Sequence, residues 1–180
     1  MNQSKIATRY AKAAFELALE KNEHDRFRGE MKTLSKVLVH NPGLSEFLNN
    51  IIIRNSHKIQ TIEKIFSDAF SQLTMDFIRL VINNGREKHI PAMCRHIEKL
   101  YKQHENIHSI HLYTAMELDD NVKKKINVSV KDALSASKLE MVESVDKSII
   151  GGFILRTEDF MYDASLKTQL AKVKQQLTDK

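Results

Sequence analysis

The sequence has few of the residues that interrupt helices and none of the cross-links that stabilise small extracellular domains. Its 180 residues include two prolines, five glycines, one cysteine and no tryptophan. The single cysteine, Cys94, excludes an intrachain disulfide and is typical of a reducing compartment. Because 42% of the residues are hydrophobic and 28% are charged, the chain can bury a core without disulfides or metals.

Long apolar runs are also absent. A helix that spans a bilayer needs about 20 consecutive, mostly apolar residues, and the apolar runs here are only a few residues long. Met1 is followed by four polar or charged residues and then by an amphipathic pattern, which does not resemble a signal peptide. We therefore expect no membrane-spanning segment and a protein that stays in the compartment where it is made.

The motifs of common enzyme and cofactor sites are missing as well. There is no G-x-S-x-G, G-x-x-x-x-G-K-[ST] or G-x-G-x-x-G pattern. Gly151-Gly152 alone indicates a close backbone approach or a bulge. His104, His108 and His111 cross a predicted helix-to-strand junction, so they lack the regular spacing of a ligand set. We therefore predict no catalytic residue, no metal site and no cofactor.

Positive charge is in modest excess and is concentrated in the first part of the chain. The net charge is +5; the first 105 residues hold 17 basic and 12 acidic residues, and the remainder holds 11 of each. Such an excess suits nucleic acid, an acidic membrane surface or an acidic protein partner. The charges are spread singly, apart from Lys123-Lys124-Lys125. We interpret most of them as solvated surface, and a basic nucleic-acid-binding module remains the alternative function.

Hydrophobic periodicity predicts six short amphipathic helices in the first 105 residues. Apolar residues recur there at three- and four-residue spacing, which places them on one face of each helix. We predict a third helix over residues 44–52, a fourth whose N-cap is Asn55 or Ser56, and a left-handed stop at Asn84-Gly85 after the fifth. Six such helices joined by short links predict a helical bundle.

After residue 105 the hydrophobic period changes to that of strands. Residues 107–114 alternate between apolar and polar side chains, which predicts a half-buried strand. Further strands are expected at residues 138–145 and 153–157, with one helix before them and one at the end. The sequence thus predicts a mainly α protein, with an N-terminal six-helix bundle over residues 1–105 and a small α/β domain over residues 106–180.

Two predicted helices of the bundle carry more apolar surface than one buried face needs. Five of the six residues 77–82 in the fifth helix are apolar, and such a helix must be covered on more than one side. In the first helix, Phe15, Ala18 and Leu19 widen the apolar stripe, and its alanines would let another helix approach closely. Either both helices lie at the centre of the bundle, or they border a groove for a partner helix.

Three segments resemble one known family. Residues 7–18, ATRYAKAAFELA, are similar to the opening helix of the F-type ATP synthase delta subunit, whose mitochondrial counterpart is the oligomycin-sensitivity-conferring protein. Residues 77–86 resemble that family's fifth helix with its Asn-Gly-Arg turn, and residues 145–156, VDKSIIGGFILR, resemble its C-terminal signature. Because the three segments occur in the family's order and spacing, the chain is identified as a member of this family.

The C-terminal signature supplies specific residues and two departures. Glu158, in a predicted turn at Glu158-Asp159, and Ala164 stand where the family usually has glycine. Glycine tolerates positive φ more easily than either residue, so turn geometry is expected to differ there. The residues that match the family signature are Asp146, Gly151, Gly152, Arg156 and Asp163.

The resemblance implies a mechanical role rather than a catalytic one. The protein would be a stator connector of the peripheral stalk, which ties the catalytic head to the membrane-anchored b subunits and resists rotational torque. By the same resemblance, helices one and five border a groove for the N-terminal helix of a catalytic-head α subunit. The residues implied to line that groove are Tyr10, Ala13, Ala14, Leu17, Phe27, Phe77 and Leu80.

The resemblance assigns the C-terminal domain to the end of the stalk b subunits. Its final helix offers Leu170, Val173 and Leu177, although these residues would equally serve to cover the sheet. The implied location is peripheral, on the cytoplasmic face of a bacterial plasma membrane, with only indirect contact to the membrane through a proton- or sodium-translocating complex. No nucleic-acid partner is implied, and we expect the isolated chain to be monomeric.

Overall fold

The computed structural model describes residues 2–134, 137–157 and 160–178. Its contacts divide the chain into two units, Met1–Tyr101 and Lys102–Lys180. The first unit is helical, and the second combines helices with a four-stranded sheet. The predicted fold class, a mainly α chain with a bundle followed by a small α/β unit, is confirmed. The sequence pattern changes period at residue 105, a few residues after the point where the contacts divide.

Six α-helices form the bundle. Two of them end in the same way, because Asn22 (φ 55°) and Gly85 (φ 62°) both adopt positive φ just after a helix. In each case the next backbone N–H donates to a carbonyl five residues earlier, at 2.9 Å after the first helix and 3.0 Å after the fifth. The left-handed stop predicted at Asn84-Gly85 is therefore confirmed. The helices are α1 Asn2–Glu20, α2 His24–His40, α3 Pro42–Asn49, α4 Asn55–Phe66, α5 Gln72–Asn83 and α6 Ile90–His104.

The core of the bundle is formed by α1, α2, α4, α5 and α6, and its largest side chains come from the last four of these helices. Large side chains from these helices are almost completely removed from solvent, and each contributes on the order of 1.5–3 kcal/mol to the free energy of unfolding. The largest of them are Phe27, Met31, Leu34, Ile62, Ile78, Ile82, Met93 and Ile97. Such a core fixes the positions of α2 and α5, which matter most for the groove described below.

The prediction of the third helix was wrong at its end. Helix α3 stops at Asn49, and Ile51 and Ile52 follow it with 96% and 91% of their surface exposed. The side chain of Asn50 accepts a hydrogen bond from the backbone N–H of Ile52 at 2.9 Å. Because this local turn competes with a further helical turn, the apolar pattern alone overestimated the length of the helix.

The predicted N-cap of the fourth helix was also wrong. Asn55 and Ser56 lie inside the first turn of α4, and the capping position belongs to Arg54, whose backbone is extended. No side-chain hydrogen bond from Arg54 caps the helix. Asn55 and Ser56 therefore located the start of α4 to within two residues, but neither of them is the N-cap.

The second unit is built around strand β1, Ile107–Thr114. Its two neighbours are β2, Lys138–Val145, which pairs with it in parallel, and β3, Phe153–Arg156, which pairs with it antiparallel. Strand β4, Met161–Asp163, continues the sheet on the far side of β3, so the order is β2-β1-β3-β4. Helix α7, Asp120–Leu134, connects β1 to β2, and α8, Leu166–Thr178, follows β4.

The central strand of this sheet is the most buried. Ile110 and Leu112 are completely buried, as their alternation predicts, while His111 between them is exposed. Leu112 pairs with Leu155 of β3, and this residue is also buried. The predicted turn at Glu158-Asp159 lies outside the described residues.

Buried polar groups in the bundle are mostly paired, and an exception lies just before α6. The Lys58 Nζ atom lies 2.6 Å from the Glu87 Oε1 atom, and both side chains are buried. His89 is only 3% exposed, and its Nε2 atom has no hydrogen-bond partner among the described residues. Burial, reinforced by the nearby charges of Lys88 and Arg86, lowers the pKa of His89.

We predict that His89 makes the bundle less stable in mild acid. Its pKa in the folded protein lies below the unfolded value of about 6.5, so the unfolded chain binds the proton more readily. The stability linked to neutral His89 is therefore complete above about pH 6.5 and is lost as the pH falls towards the folded pKa. In urea unfolding followed by circular dichroism at pH 7, 6 and 5, His89→Leu should lose less stability than the unchanged protein.

The control is His57→Leu, at an exposed position on α4, which should keep the pH dependence of the unchanged protein. Parallel stability curves for His89→Leu and the unchanged protein would show that His89 does not contribute to acid sensitivity.

Candidate helix-binding groove

A groove with a volume of about 550 Å³ opens between α1 and α5. The structure brings all seven residues of the predicted groove into its lining, and five further residues complete it. Whether a partner helix occupies this groove stays a prediction. The lining residues are Arg9, Tyr10, Ala13, Ala14, Leu17, Lys21, Phe27, Leu73, Asp76, Phe77, Leu80 and Asn84.

Helical spacing explains why these residues share one cavity. Residues 10, 13, 14, 17 and 21 occupy positions i, i+3, i+4, i+7 and i+11, along α1 and just past its end. Residues 73, 76, 77, 80 and 84 do the same along α5. The small side chains of Ala13 and Ala14 leave space in the α1 wall that a larger residue would fill. The α5 wall could have been extended from the sequence, because Leu73 and Asp76 lie one turn before Phe77 and Leu80.

The floor of the groove is aromatic and its walls are apolar but uncovered. Phe27 reaches it from α2, completely buried, and its ring meets Phe77 edge to face with 5.8 Å between centroids. This arrangement is favourable for two aromatic rings. Above the floor, Leu17 and Leu80 are 42% and 52% exposed. A groove with apolar walls open to solvent is the geometry that accepts an amphipathic helix.

The apolar surface of α1 and α5 contributes both to the bundle core and to the lining of the groove. On α1, Ala7, Ala11 and Phe15 are buried, and on α5, Ile78 and Val81 are buried. These faces belong to the bundle core. Phe77 belongs both to this core and to the groove lining, whereas Leu17 and Leu80 in the lining are about half exposed. The two helices are therefore central and also border a groove.

The start of α5 is fixed to α2 by a buried carboxylate. Glu30 accepts hydrogen bonds from the backbone N–H of Ser71 at 2.9 Å, from its hydroxyl at 2.8 Å and from Arg26 Nε at 2.7 Å. Burial acts to raise the pKa of Glu30, but hydrogen bonds from Thr74, Ser71 and Arg26 outweigh it and hold the pKa below its usual value. Sequence reasoning missed this residue because its partner lies 41 positions away.

Comparison with known proteins agrees with this architecture. The sequence matches the ATP synthase delta (OSCP) subunit family over residues 6–177. The chain belongs to that family. It is 31% identical to the ATP synthase subunit delta of Ligilactobacillus salivarius over 98% of both chains. It is 35% identical to that of Bacteroides thetaiotaomicron over 97% of this chain and 95% of the relative.

The fold is also found in a solved structure. A chain in the cryo-EM structure of the Toxoplasma gondii mitochondrial ATP synthase hexamer superposes with a TM-score of 0.71 at 18% identity. The match covers 96% of this chain and 97% of that one. Members of the delta (OSCP) family are non-catalytic subunits of ATP synthase. None of the described helices combines the length and the apolar character that crossing a membrane requires.

The buried cysteine fits a non-catalytic family member. Cys94 is 6% exposed within the bundle core, and burial raises the pKa of its thiol to about 12. Because the thiolate is the reactive form, this side chain acts as a small hydrophobic residue at neutral pH.

Residues of the delta (OSCP) family signature contact the start of α8 and fix its position. Gly151 accepts a hydrogen bond from the backbone N–H of Leu166 at 2.9 Å. Gly152 has φ +75°, and a Cβ atom there would lie 2.2 Å from the Ala164 carbonyl oxygen. The Asp163 carboxylate accepts a hydrogen bond from the backbone N–H of Ser165 at 2.8 Å. This hydrogen bond and one from the Thr168 hydroxyl lower the pKa of Asp163.

The remaining signature residues have different surroundings. Asp146 caps the short 3₁₀ turn Lys147–Ile149 by accepting from the backbone N–H of Ser148 at 2.9 Å. Arg156 is exposed at the end of β3, opposite His111 of β1. Ala164 is not among the described non-glycine residues with positive φ, so its departure from glycine needs no unusual backbone. The other departure, Glu158, lies outside the described residues.

Helix α8 presents apolar side chains to solvent. Leu166, Leu170 and Val173 are 45%, 58% and 53% exposed, so they do not simply cover the sheet. The side chain of Leu177 lies outside what the structure describes. Strand β4 adds Met161 and Tyr162, which are 62% and 59% exposed. Exposed apolar residues on neighbouring elements are typical of an interaction surface.

We predict that Gly152→Ala destabilises the second unit by at least about 2–3 kcal/mol, because both its backbone angle and the Ala164 carbonyl exclude a side chain. Gly85→Ala is the matched control, since Gly85 also has positive φ but has nothing within 4 Å of the added Cβ. It should cost only about 1 kcal/mol. Chemical unfolding of both variants measures the difference, and equal losses would contradict the packing role of Gly152.

Proposed function

We propose that this protein is the non-catalytic stator connector of an F-type ATP synthase. In this role it belongs to the peripheral stalk and holds the catalytic head against the torque of the rotating shaft. The observation that carries the proposal is the open apolar groove between α1 and α5 in a chain of the delta (OSCP) family. A connector needs long-lived contacts rather than a reactive group, and the groove offers shape and apolar area.

The proposed ligand of the groove is the N-terminal helix of a catalytic-head α subunit. Its apolar stripe would contact Leu17 and Leu80 on the walls and approach Phe77 at the floor, while Ala13 leaves room for its backbone. Nanomolar affinity corresponds to about −12 kcal/mol. A few anchor residues usually dominate such an interface, each costing about 2 kcal/mol or more when truncated.

The proposed partner of the second unit is the end of the stalk b subunits. The support is the exposed apolar stripe of α8, Leu166, Leu170 and Val173, and its fixed starting point at the signature. Residues 1–105 would then bind the head and residues 106–180 the stalk. The protein would be peripheral, on the cytoplasmic face of a bacterial plasma membrane, and would reach the membrane only through the complex.

The test of the groove is a calorimetric titration of the full chain with a peptide of the cognate α subunit's N-terminal helix. Calorimetry suits a chain that has no tryptophan to report binding. We expect tight one-to-one binding whose affinity falls no more than several-fold at moderate salt. A nucleic-acid-binding module would instead lose affinity steeply with salt, by about 10³–10⁵ between 50 and 200 mM.

We predict that Ala13→Asp weakens peptide binding at least about tenfold, because the new carboxylate fills and charges an apolar groove. Ala13 is exposed, so circular dichroism should show an intact bundle. Gln60→Asp, on the exposed surface of α4 and outside the groove, adds the same charge and should bind normally. If Ala13→Asp binds the peptide as well as the unchanged protein, the groove assignment is wrong.

A further inference from the structure

The positive charges that line the groove lie on its α1 side. Along α1 and just past its end, the lining includes two cations, Arg9 and Lys21, and no carboxylate. Along α5 the lining includes one carboxylate, Asp76, which already accepts hydrogen bonds from Arg79 and from Gln72, each at 2.8 Å. The α1 edge is therefore positive, whereas the charge on the α5 edge is compensated from within the bundle.

The two cations on the α1 edge have no ion-pair partner among the residues that the structure describes. Arg9 instead lies beside the groove wall, with its guanidinium carbon 5.9 Å from the centroid of the Tyr10 ring. By contrast Lys12, on the same helix but outside the groove, is paired with Glu16 at 3.8 Å. Positive charge is thus left uncompensated where α1 borders the groove.

The distance between these two cations determines how far apart matching charges on a bound helix must be. Arg9 and Lys21 are separated by 12 positions, which at 1.5 Å per residue is roughly 18 Å along the helix axis. They flank the apolar part of the wall, from Tyr10 to Leu17. A helix lying along this wall would place residues about 11 apart, or three turns, on the same edge at a matching distance.

We propose that the helix bound in this groove carries an acidic edge, with carboxylates about three turns apart facing Arg9 and Lys21, and an uncharged edge facing α5. This inference rests on the proposed function and states the chemistry that the α-subunit helix must present. Complementary charges of this kind determine specificity and register more than affinity. Because only one edge of the groove is positive, they also fix how the bound helix is rotated about its own axis.

The experiment compares two double charge reversals in the full chain. Arg9→Glu with Lys21→Glu changes the groove edge, and Lys32→Glu with Lys36→Glu makes the same change in net charge on the exposed face of α2, outside the groove. Each is titrated with the peptide of the cognate α subunit's N-terminal helix at low salt. We expect at least about a tenfold loss of affinity for the first variant and less than about threefold for the second.

Salt and a charge-swapped peptide give independent measurements. The affinity of the unchanged protein should fall several-fold as salt screens the edge contacts, whereas that of the Arg9→Glu, Lys21→Glu variant should not fall. A peptide whose acidic residues are replaced by lysine should bind this variant better than it binds the unchanged protein. Arg9→Gln with Lys21→Gln, which removes charge without reversing it, should show an intermediate loss.

The outcomes separate the two proposals. If the unchanged protein binds the peptide but both reversals affect binding equally, or neither does, the acidic edge is overturned and the groove assignment stands. If the unchanged protein does not bind the peptide at all, the proposed function fails before the variants are compared, and the acidic edge fails with it.

Discussion

Helix α5 imposes the constraint on which the bundle depends. It is twelve residues long and apolar on nearly every side, so one packing partner cannot cover it. The bundle covers the face that contains Ile78, Val81 and Ile82, and leaves Leu80 half exposed. The uncovered face is tolerable in a protein that works inside an assembly, because a partner can bury it there. The groove is thus a direct consequence of a helix that the bundle alone cannot fully bury.

The hydrogen bonds of Glu30 keep that uncovered face in place. An apolar wall that could collapse onto α1 would lower the exposed area and close the groove. Glu30 opposes this by fixing the N-terminal end of α5 to α2 through Ser71, while the Phe27–Phe77 contact holds the middle of the groove floor. A groove that is formed before its ligand arrives binds with a smaller loss of conformational entropy. A buried carboxylate is therefore useful here for position rather than for acid–base chemistry.

Much of this could be predicted from the sequence, because helical periodicity records which side chains share a face. It placed Tyr10, Ala13 and Leu17 together, and the alternation around Ile110 and Leu112 located the central strand. Periodicity could not predict hydrogen bonds between residues that are far apart in the sequence. It also could not predict where a local turn ends a helix. The bond between Glu30 and Ser71 has no local pattern, and the turn at Asn50 ended a helix whose apolar pattern continued.

The family signature is a local sequence pattern, but its structural role depends on contacts with residues outside that pattern. Gly151 and Gly152 belong to the second unit and do not line the groove. Their small size lets the chain before β3 pass against the start of α8. Asp163 then holds Ser165, whose hydroxyl caps α8 by accepting a hydrogen bond from the backbone N–H of Thr168. The exposed apolar residues of α8 follow at helical spacing. Because a helix is rigid, fixing its first turn fixes the direction in which its whole apolar stripe points. The signature therefore positions a surface that lies beyond its own residues.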